Sequence, residues 1–310
     1  MWQKIWVILV ILSLVLPGCQ AAGAPQMAGA IKVLAVETFL GDIAQNIAGD
    51  RLKVETLLPI EVDPHAFQTT PADIRKLNSC DLLILNGAGL ETFLQKAIEN
   101  SNGTFEIIEA SKGLEPRTAK EGEDVHPEGG NEHELDPHFW LDPINVIHYV
   151  ENIRDGFIKL DPEGIATYER NASAYILRLK ELDQKLESQI NQIPPERRLL
   201  VTNHESLGYF ADRYGFKIIG TIIPSASTNA SPSAQQMAVL VDHIRQSGAP
   251  AIFLEKGANS KIARQVASEA GVKVVDNLLT HSVTKPNGVA PSYIAMMIHN
   301  VQQIVAALKE

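Results

Sequence analysis

Cysteine is nearly missing from this chain, with Cys19 and Cys80 the only two in 310 residues. That count rules out a disulfide framework. An excess of positive charge is missing too: 27 Lys and Arg face 37 Asp and Glu, for a formal net charge of -10, and aromatics make up 6%. With neither a basic run nor base-stacking aromatics beside it, a nucleic-acid partner is excluded, and cations become the expected ligand class. The segment Gly87-Ala88-Gly89 lacks the third glycine of a dinucleotide-binding loop, Thr92 standing in its place, so that reading fails. Neither His-Glu-x-x-His nor Gly-x-Ser-x-Gly occurs, which removes the usual sequence marks of a zinc protease or a serine hydrolase. What is abundant is apolar surface: a 45% hydrophobic share in a chain longer than one typical domain is enough for two cores.

The first sixteen residues carry one lysine, Lys4, before an apolar run from Ile5 to Leu16 broken only at Ser13. This is the pattern of an export signal, too short to span a bilayer comfortably, so residues 1–18 are expected to be removed. The run ends in Leu16-Pro17-Gly18-Cys19, which resembles the lipobox of bacterial lipoproteins and implies a lipidated Cys19 at the mature N-terminus. A plain signal peptide with an incidental cysteine is the alternative. Residues 19–30, small and rich in Ala and Gly, then read as a flexible tether. No span is expected in the mature chain, so any transport must come from partner proteins. Cys80, beside the apolar run Leu82-Leu83-Ile84-Leu85, reads as a small buried hydrophobe.

From Ile31 onward strands and helices alternate. Strand-like runs at Ile31 to Val36, Leu52 to Leu58, Leu82 to Leu85 and Phe105 to Ile108 are separated by helical stretches, and Thr70-Pro71-Ala72-Asp73 is an N-cap with proline in the first turn. The segment 115–136 differs: eight acids against Arg117 and Lys120, with His126 and His133 interspersed. It cannot pack a core, and reads as a solvated loop or a weak collector of cations. Beyond Asp161-Pro162, the positions Tyr168, Ala172, Tyr175, Leu179, Leu182, Leu186 and Ile190 are three or four apart, giving one buried stripe on a long helix that Pro194-Pro195 ends. The second half repeats the strand–helix rhythm. The expectation is therefore an α/β protein of two lobes, each a mainly parallel sheet flanked by helices: residues 31–160, a connecting helix over 161–192, and residues 193–310.

Four histidines stand at equivalent places in this scheme. His65 and His138 each follow the dipeptide Asp-Pro, at Asp63-Pro64-His65 and Asp136-Pro137-His138. Proline constrains the backbone before each ring, and Asp63 and Asp136 are placed to orient the ring or to cap a helix. His204 follows the strand Leu199 to Thr202, and His281 lies a few residues past Val272 to Val275. Ligands of open α/β sheets bind outside the carboxyl ends of strands, so the four rings can face one crevice between the lobes and hold one ion. Four nitrogens without a carboxylate favour zinc; manganese prefers more oxygen. Bound histidines must be neutral, so affinity should fall as the pH drops below about 6.5.

Several longer stretches resemble the metal-binding lipoproteins that serve as solute-binding components of bacterial ABC importers for zinc and manganese. They are Asp63-Pro64-His65, the run from Asp136 to Pro143, the run from Thr202 to Phe210, Pro224-Ser225-Ala226-Ser227, and Ser292 to Met297. The likeness covers nearly all of the mature chain. It implies two lobes joined by one long helix, an ion between them, and a monomer anchored through Cys19 outside the cell membrane that delivers metal to a permease and its ATPase. His65 and His138 match the two N-lobe histidines of that family. His204 matches a position that is histidine in zinc-type members and often glutamate in manganese-type ones. His281 falls where the family usually has aspartate, which leaves either a four-imidazole site or three histidines with water, Glu205 or Glu255 in the last place. Two other readings stay open: a three-histidine zinc hydrolase, kept alive by Glu205 beside His204, and a surface adhesin.

Overall fold

The computed structural model describes residues 31–101, 103–117 and 135–309. The expected signal, tether and lipidated Cys19, and most of the acidic segment with His126 and His133, lie outside the described residues. Residues 31–310 form one compact unit.

Its first sheet is built from β1 (Val33–Ala35), β2 (Val54–Thr56), β3 (Leu82–Leu85) and β4 (Glu106–Glu109), all parallel in the order β2-β1-β3-β4. The second contains β5 (Leu199–Thr202), β6 (Lys217–Thr221), β7 (Ala251–Glu255) and β8 (Lys273–Leu278), parallel in the order β6-β5-β7-β8. The two orders are the same pattern. Each sheet reverses its direction of winding beside its first strand, and that switch point is where parallel sheets open a crevice at the carboxyl ends. β3 is a run of four buried apolar residues, as a strand covered on both faces must be.

Helices cover the sheets: α1 (Thr38–Ala48), α2 (Pro71–Ser79), α3 (Thr92–Glu99) and α4 (Asn145–Leu160) in the first half; α6 (Gly208–Tyr214), α7 (Ala234–Ser247), α8 (Ser260–Ala270) and α9 (Tyr293–Leu308) in the second. α2 begins at the N-cap read from the sequence, and the structure adds a capping box: Thr70 Oγ1 accepts from Asp73 N, and Asp73 Oδ2 accepts from Thr70 N. Between the halves runs α5 (Ile165–Ile190), whose 26 residues span about 39 Å at 1.5 Å per residue. Its buried side chains include all seven of the stripe read from the sequence. The helix starts later than 161 because Pro162–Gly164 form a 3-10 turn. Asp161 there accepts from both Arg51 and Tyr168, and the Arg51 guanidinium holds the Asp161 carboxyl below its usual range.

The largest apolar core is continuous across the molecule. It takes in Phe39 and Ile43 of α1, Phe157 of α4, the α5 stripe, Phe253 of β7, and Met296 and Ile304 of α9. The last helix thus returns to the first: Tyr293 N donates to Asp42 at 2.9 Å, and Tyr293 Oη donates to the Trp140 carbonyl at 2.6 Å. Close approach is enforced at Gly156, where a Cβ would lie 2.0 Å from Ile108 Cδ1, so α4 can sit on β4 only without a side chain there. No helix among the described residues is long and apolar enough to cross a membrane. Cys80 is buried, its thiol directed at the Leu77 carbonyl.

Because one core serves both halves, Phe157→Ala is expected to remove about 3–5 kcal/mol while unfolding stays a single transition. Far-UV and near-UV circular dichroism in urea should trace coincident curves; two separated transitions would show independent lobes.

Candidate metal centre

Both Asp-Pro-His tripeptides fold alike at first. Asp63 Oδ1 accepts from His65 N at 2.9 Å, and Asp136 Oδ1 accepts from His138 N at 2.9 Å; Asp63 is the extended residue before the 3-10 turn Pro64–Ala66, and His138 stands directly before the turn Phe139–Leu141. The proline between them makes this local bond cheap, since its φ is already set. Beyond the backbone the two differ. Asp136 Oδ1 also lies 2.8 Å from His138 Nδ1, whereas Asp63 Oδ2 accepts from Thr228 Oγ1 of the other half at 2.6 Å. Asp136 orients a ring; Asp63 fastens a loop.

His204 stands two residues beyond β5, at the switch point of the second sheet, and its neighbour across that point is Glu255, the last residue of β7. Glu255 Oε1 is 2.8 Å from His204 Nδ1, and Oε2 accepts from Asn203 Nδ2 at 2.9 Å. The β7–β8 register shifts between Phe253 and Glu255, as irregularities that re-aim a side chain do. His281 lies three residues past β8, with Thr280 Oγ1 3.0 Å from its Nδ1.

Three rings therefore have a partner at Nδ1, and all four turn Nε2 inward. The Nε2 atoms of His65, His204 and His281 each lie 3.3 Å from Nε2 of His138. One nitrogen from each of the four rings falls within 4.8 Å of all the others, and no further Asp, Glu or Cys joins the group among the described residues. Glu255 stands behind His204, and Glu205, whose N–H donates to the Ser225 carbonyl, is outside the cluster. His138 and His204 are 0% exposed and His281 7%, while His65 is half-buried.

Burial decides the charge of these rings. It drives His65 down to about 4, helped by the nearby His204, and pushes His138 and His281 well below the usual imidazole range. For His204 burial acts the same way, but Glu255, Asp63 and Asp136 outweigh it and its pKa rises. Burial lifts the Asp136 carboxyl to about 7 against its bonds to His138 and the attraction of Arg117. Three of the rings are thus held in the neutral form by burial, while the carboxylates around His204 favour its charged form; neutral, the four offer nitrogen lone pairs suited to a divalent cation.

Trp140 was not singled out by the spacing of ligands, yet it walls the site. It stacks on Phe39 with centroids 4.5 Å apart, lies 5.1 Å from the His138 ring and 6.0 Å from that of His281, and donates from Nε1 to the Thr280 carbonyl at 2.6 Å. Its place in the run from Asp136 to Pro143 was the available signal. Tyr209 donates to the Asp136 carbonyl at 2.8 Å, and a Cβ on Gly208 would lie 2.9 Å from Asp136 Oδ2, so that glycine makes room for the carboxylate.

Residues 33–307 match the model of a family described as ZnuA, zinc-uptake complex component A, periplasmic. The chain is 32% identical over 305 residues to the manganese-binding lipoprotein MntA of Halalkalibacterium halodurans, covering 98% of this chain and 97% of that protein. It is 35% identical to the iron-binding protein YfeA of Yersinia pestis, over 88% of this chain and 85% of the other. Among solved structures, the periplasmic zinc-binding protein TroA of Treponema pallidum superposes with a TM-score of 0.80 at 28% identity, covering 90% of this chain and 99% of that one. A manganese-bound periplasmic metal-binding protein of Candidatus Liberibacter asiaticus gives 0.78 at 32% identity, with the same coverage. The family is described as part of an uptake complex, and a further relative, PsaA of Streptococcus pneumoniae, 30% identical over 90% of this chain and 89% of that protein, is named a manganese ABC transporter substrate-binding lipoprotein, so the hydrolase reading is set aside. The chain belongs to the ZnuA family, the metal-binding substrate-binding lipoproteins of ABC importers.

Proposed function

We propose that His65, His138, His204 and His281 together ligate one divalent transition metal, zinc before manganese, and that the chain passes this cargo to an ABC permease driven by its ATPase. The observation that carries this is the trio of 3.3 Å separations from His138 Nε2. Four nitrogens at the Zn–N distance of about 2.0–2.1 Å stand about 3.3–3.4 Å apart at the corners of a tetrahedron. The donor set also supports zinc, since manganese favours sites richer in carboxylate and water. With His281 at the fourth corner no coordination position is left for water, and Asp136, Glu255 and Thr280 act by holding the rings. Delivery outside the cytoplasm by a monomer tethered through Cys19 belongs to the same proposal; the adhesin reading, a role sometimes attached to the family, is compatible with that tether.

Manganese is the second reading, favoured by the names of relatives such as MntA and by the manganese-bound neighbour structure. Competitive titration with zinc and manganese separates the two: zinc should bind more tightly, and a preference for manganese would overturn the tetrahedral assignment. Elemental analysis of His204→Ala and His281→Ala should show zinc lost on dialysis, with affinity down by more than the roughly 10–100-fold that supporting residues are worth. Stoichiometric zinc in both variants would reject these ligands. Glu255→Gln, which alters the group behind His204 and leaves the four rings in place, is expected to cost about 10–100-fold.

The pH dependence follows from which groups hold protons in the empty cluster. His204 and Asp136, the latter titrating at about 7, lose their protons when the metal arrives, whereas His65 at about 4 has none to lose. Affinity should therefore fall as pH drops from about 7 to about 5, by between one and two powers of ten per pH unit. Asp136→Asn should bring that slope to at most one. A slope near four, which would mean all four imidazoles competing together, or an affinity flat to about pH 5, would contradict the assignment.

A further inference from the structure

A cavity of about 450 Å³ lies against the cluster on one side only. Its lining touches residues flanking three of the four histidines: Asp63 and Ala66 beside His65, Asn203 beside His204, and His281 itself. Nothing from the run 136–142 borders it. The cavity therefore meets the face of the cluster opposite His138. Its floor is buried, with Asn203 at 5%, Thr280 at 2% and His281 at 7% exposed, while Glu61, Ser231 and Lys256 at its rim are exposed.

The rim is tied shut between the two halves. Lys256 Nζ is 2.5 Å from Glu61 Oε1, with both side chains nearly half exposed. Glu61 N donates to Ser282 Oγ at 2.8 Å, and Asn229 Nδ2 donates to the His65 carbonyl at 2.5 Å. Glu61 is also one of two non-glycine residues with positive φ among the described residues, at 64°, a left-handed conformation that a glutamate adopts only when its surroundings hold it there. The carboxylates of Glu61, Asp63 and Glu255 border the space against one ammonium, Lys256, leaving negative charge in excess. A divalent cation with six waters needs about 180 Å³ at the liquid share of about 30 Å³ per water, so the cavity can admit the ion still hydrated.

We infer that this cavity is the antechamber through which the hydrated cation enters and leaves the four-histidine cluster, and that the Lys256–Glu61 pair is the latch at its mouth. The inference rests on the metal-binding reading and adds the route. The negative rim draws the cation in, and the ion exchanges water for imidazole at the buried floor. Its approach displaces Lys256 from Glu61, and the strained Glu61 loop, which also carries His65, is the part that yields.

Stopped-flow zinc association and chelator-driven release on the full chain test the route. Ser231→Trp narrows the mouth at an exposed position remote from the ligands, and both rates should fall at least tenfold while zinc content at saturation stays that of wild type. Lys256→Met should speed association several-fold at low ionic strength and Glu61→Gln should slow it, the differences shrinking in 0.5 M salt as screening predicts. Zinc bound by all variants with wild-type rates in Ser231→Trp would overturn the antechamber and leave the ligand assignment standing. A wild-type protein that takes up neither zinc nor manganese would instead sink the metal-binding reading itself.

Discussion

The arrangement turns on one constraint: four imidazoles are buried against each other, and each must offer the same nitrogen, unprotonated, to one point. Burial first, and the neighbouring rings second, keep three of them neutral, since a charged ring there would be desolvated and repelled. Neutrality is not enough, because a neutral imidazole has two tautomers and only one leaves Nε2 free. Asp136 and Glu255 each place a carboxylate oxygen 2.8 Å from an Nδ1 and so favour the proton on that side, while Thr280 Oγ1, 3.0 Å from His281 Nδ1, can donate to it or accept from it. The two carboxylates accomplish the same thing from unrelated places in the chain.

The fold supplies those places by repetition. Two sheets with the same strand order present their carboxyl ends toward one volume, and His204 with Glu255 occupies the switch point of the second. The corresponding point of the first sheet is filled differently. Asn86, just past β3, donates to the Pro137 carbonyl at 3.0 Å and accepts from Tyr149, so it props the loop that carries His138 instead of joining the cluster. Two buried acids, Glu37 and Glu91, stand behind it, and Glu91 holds the Asn86 and Gly87 N–H groups. One half thus contributes an imidazole of the cluster at its switch point and the other contributes a scaffold for one.

The shared core limits how such a site can open. α5 is packed on α1, α4 and α9, and the last helix is bonded to the first through Asp42 and Tyr293, so swinging the halves apart would expose much of the largest apolar cluster. The contacts across the cleft near His65 are of another kind: an exposed ion pair and a few hydrogen bonds at half-exposed positions, which are individually weak. Motion costs least there, and His65 is also the least buried of the four rings. A family able to load and release its cargo needs one such yielding edge on an otherwise stiff frame.

The α5 stripe, the strand–helix alternation, the N-cap at Thr70 and the four histidines were all legible in the chain because each is a local pattern, set by helical period, proline geometry or residue type. The same holds for Asp63 and Asp136, whose bonds to the backbone N–H two residues on are local turns. Which carboxylate stands behind which ring was not legible. Glu255 reaches His204 across 51 positions, only because β5 and β7 are neighbours in the sheet, and Trp140 reaches Thr280 across 140. Glu205, adjacent to His204 in sequence, has no such place, since successive residues beyond a strand turn to different sides. The sequence by itself determined which side chains could bind a cation and on what kind of frame they stand; tertiary structure decided which of them meet and which tautomer each is steered toward. Those outcomes depend on pairing between distant strands, and no local spacing encodes that pairing.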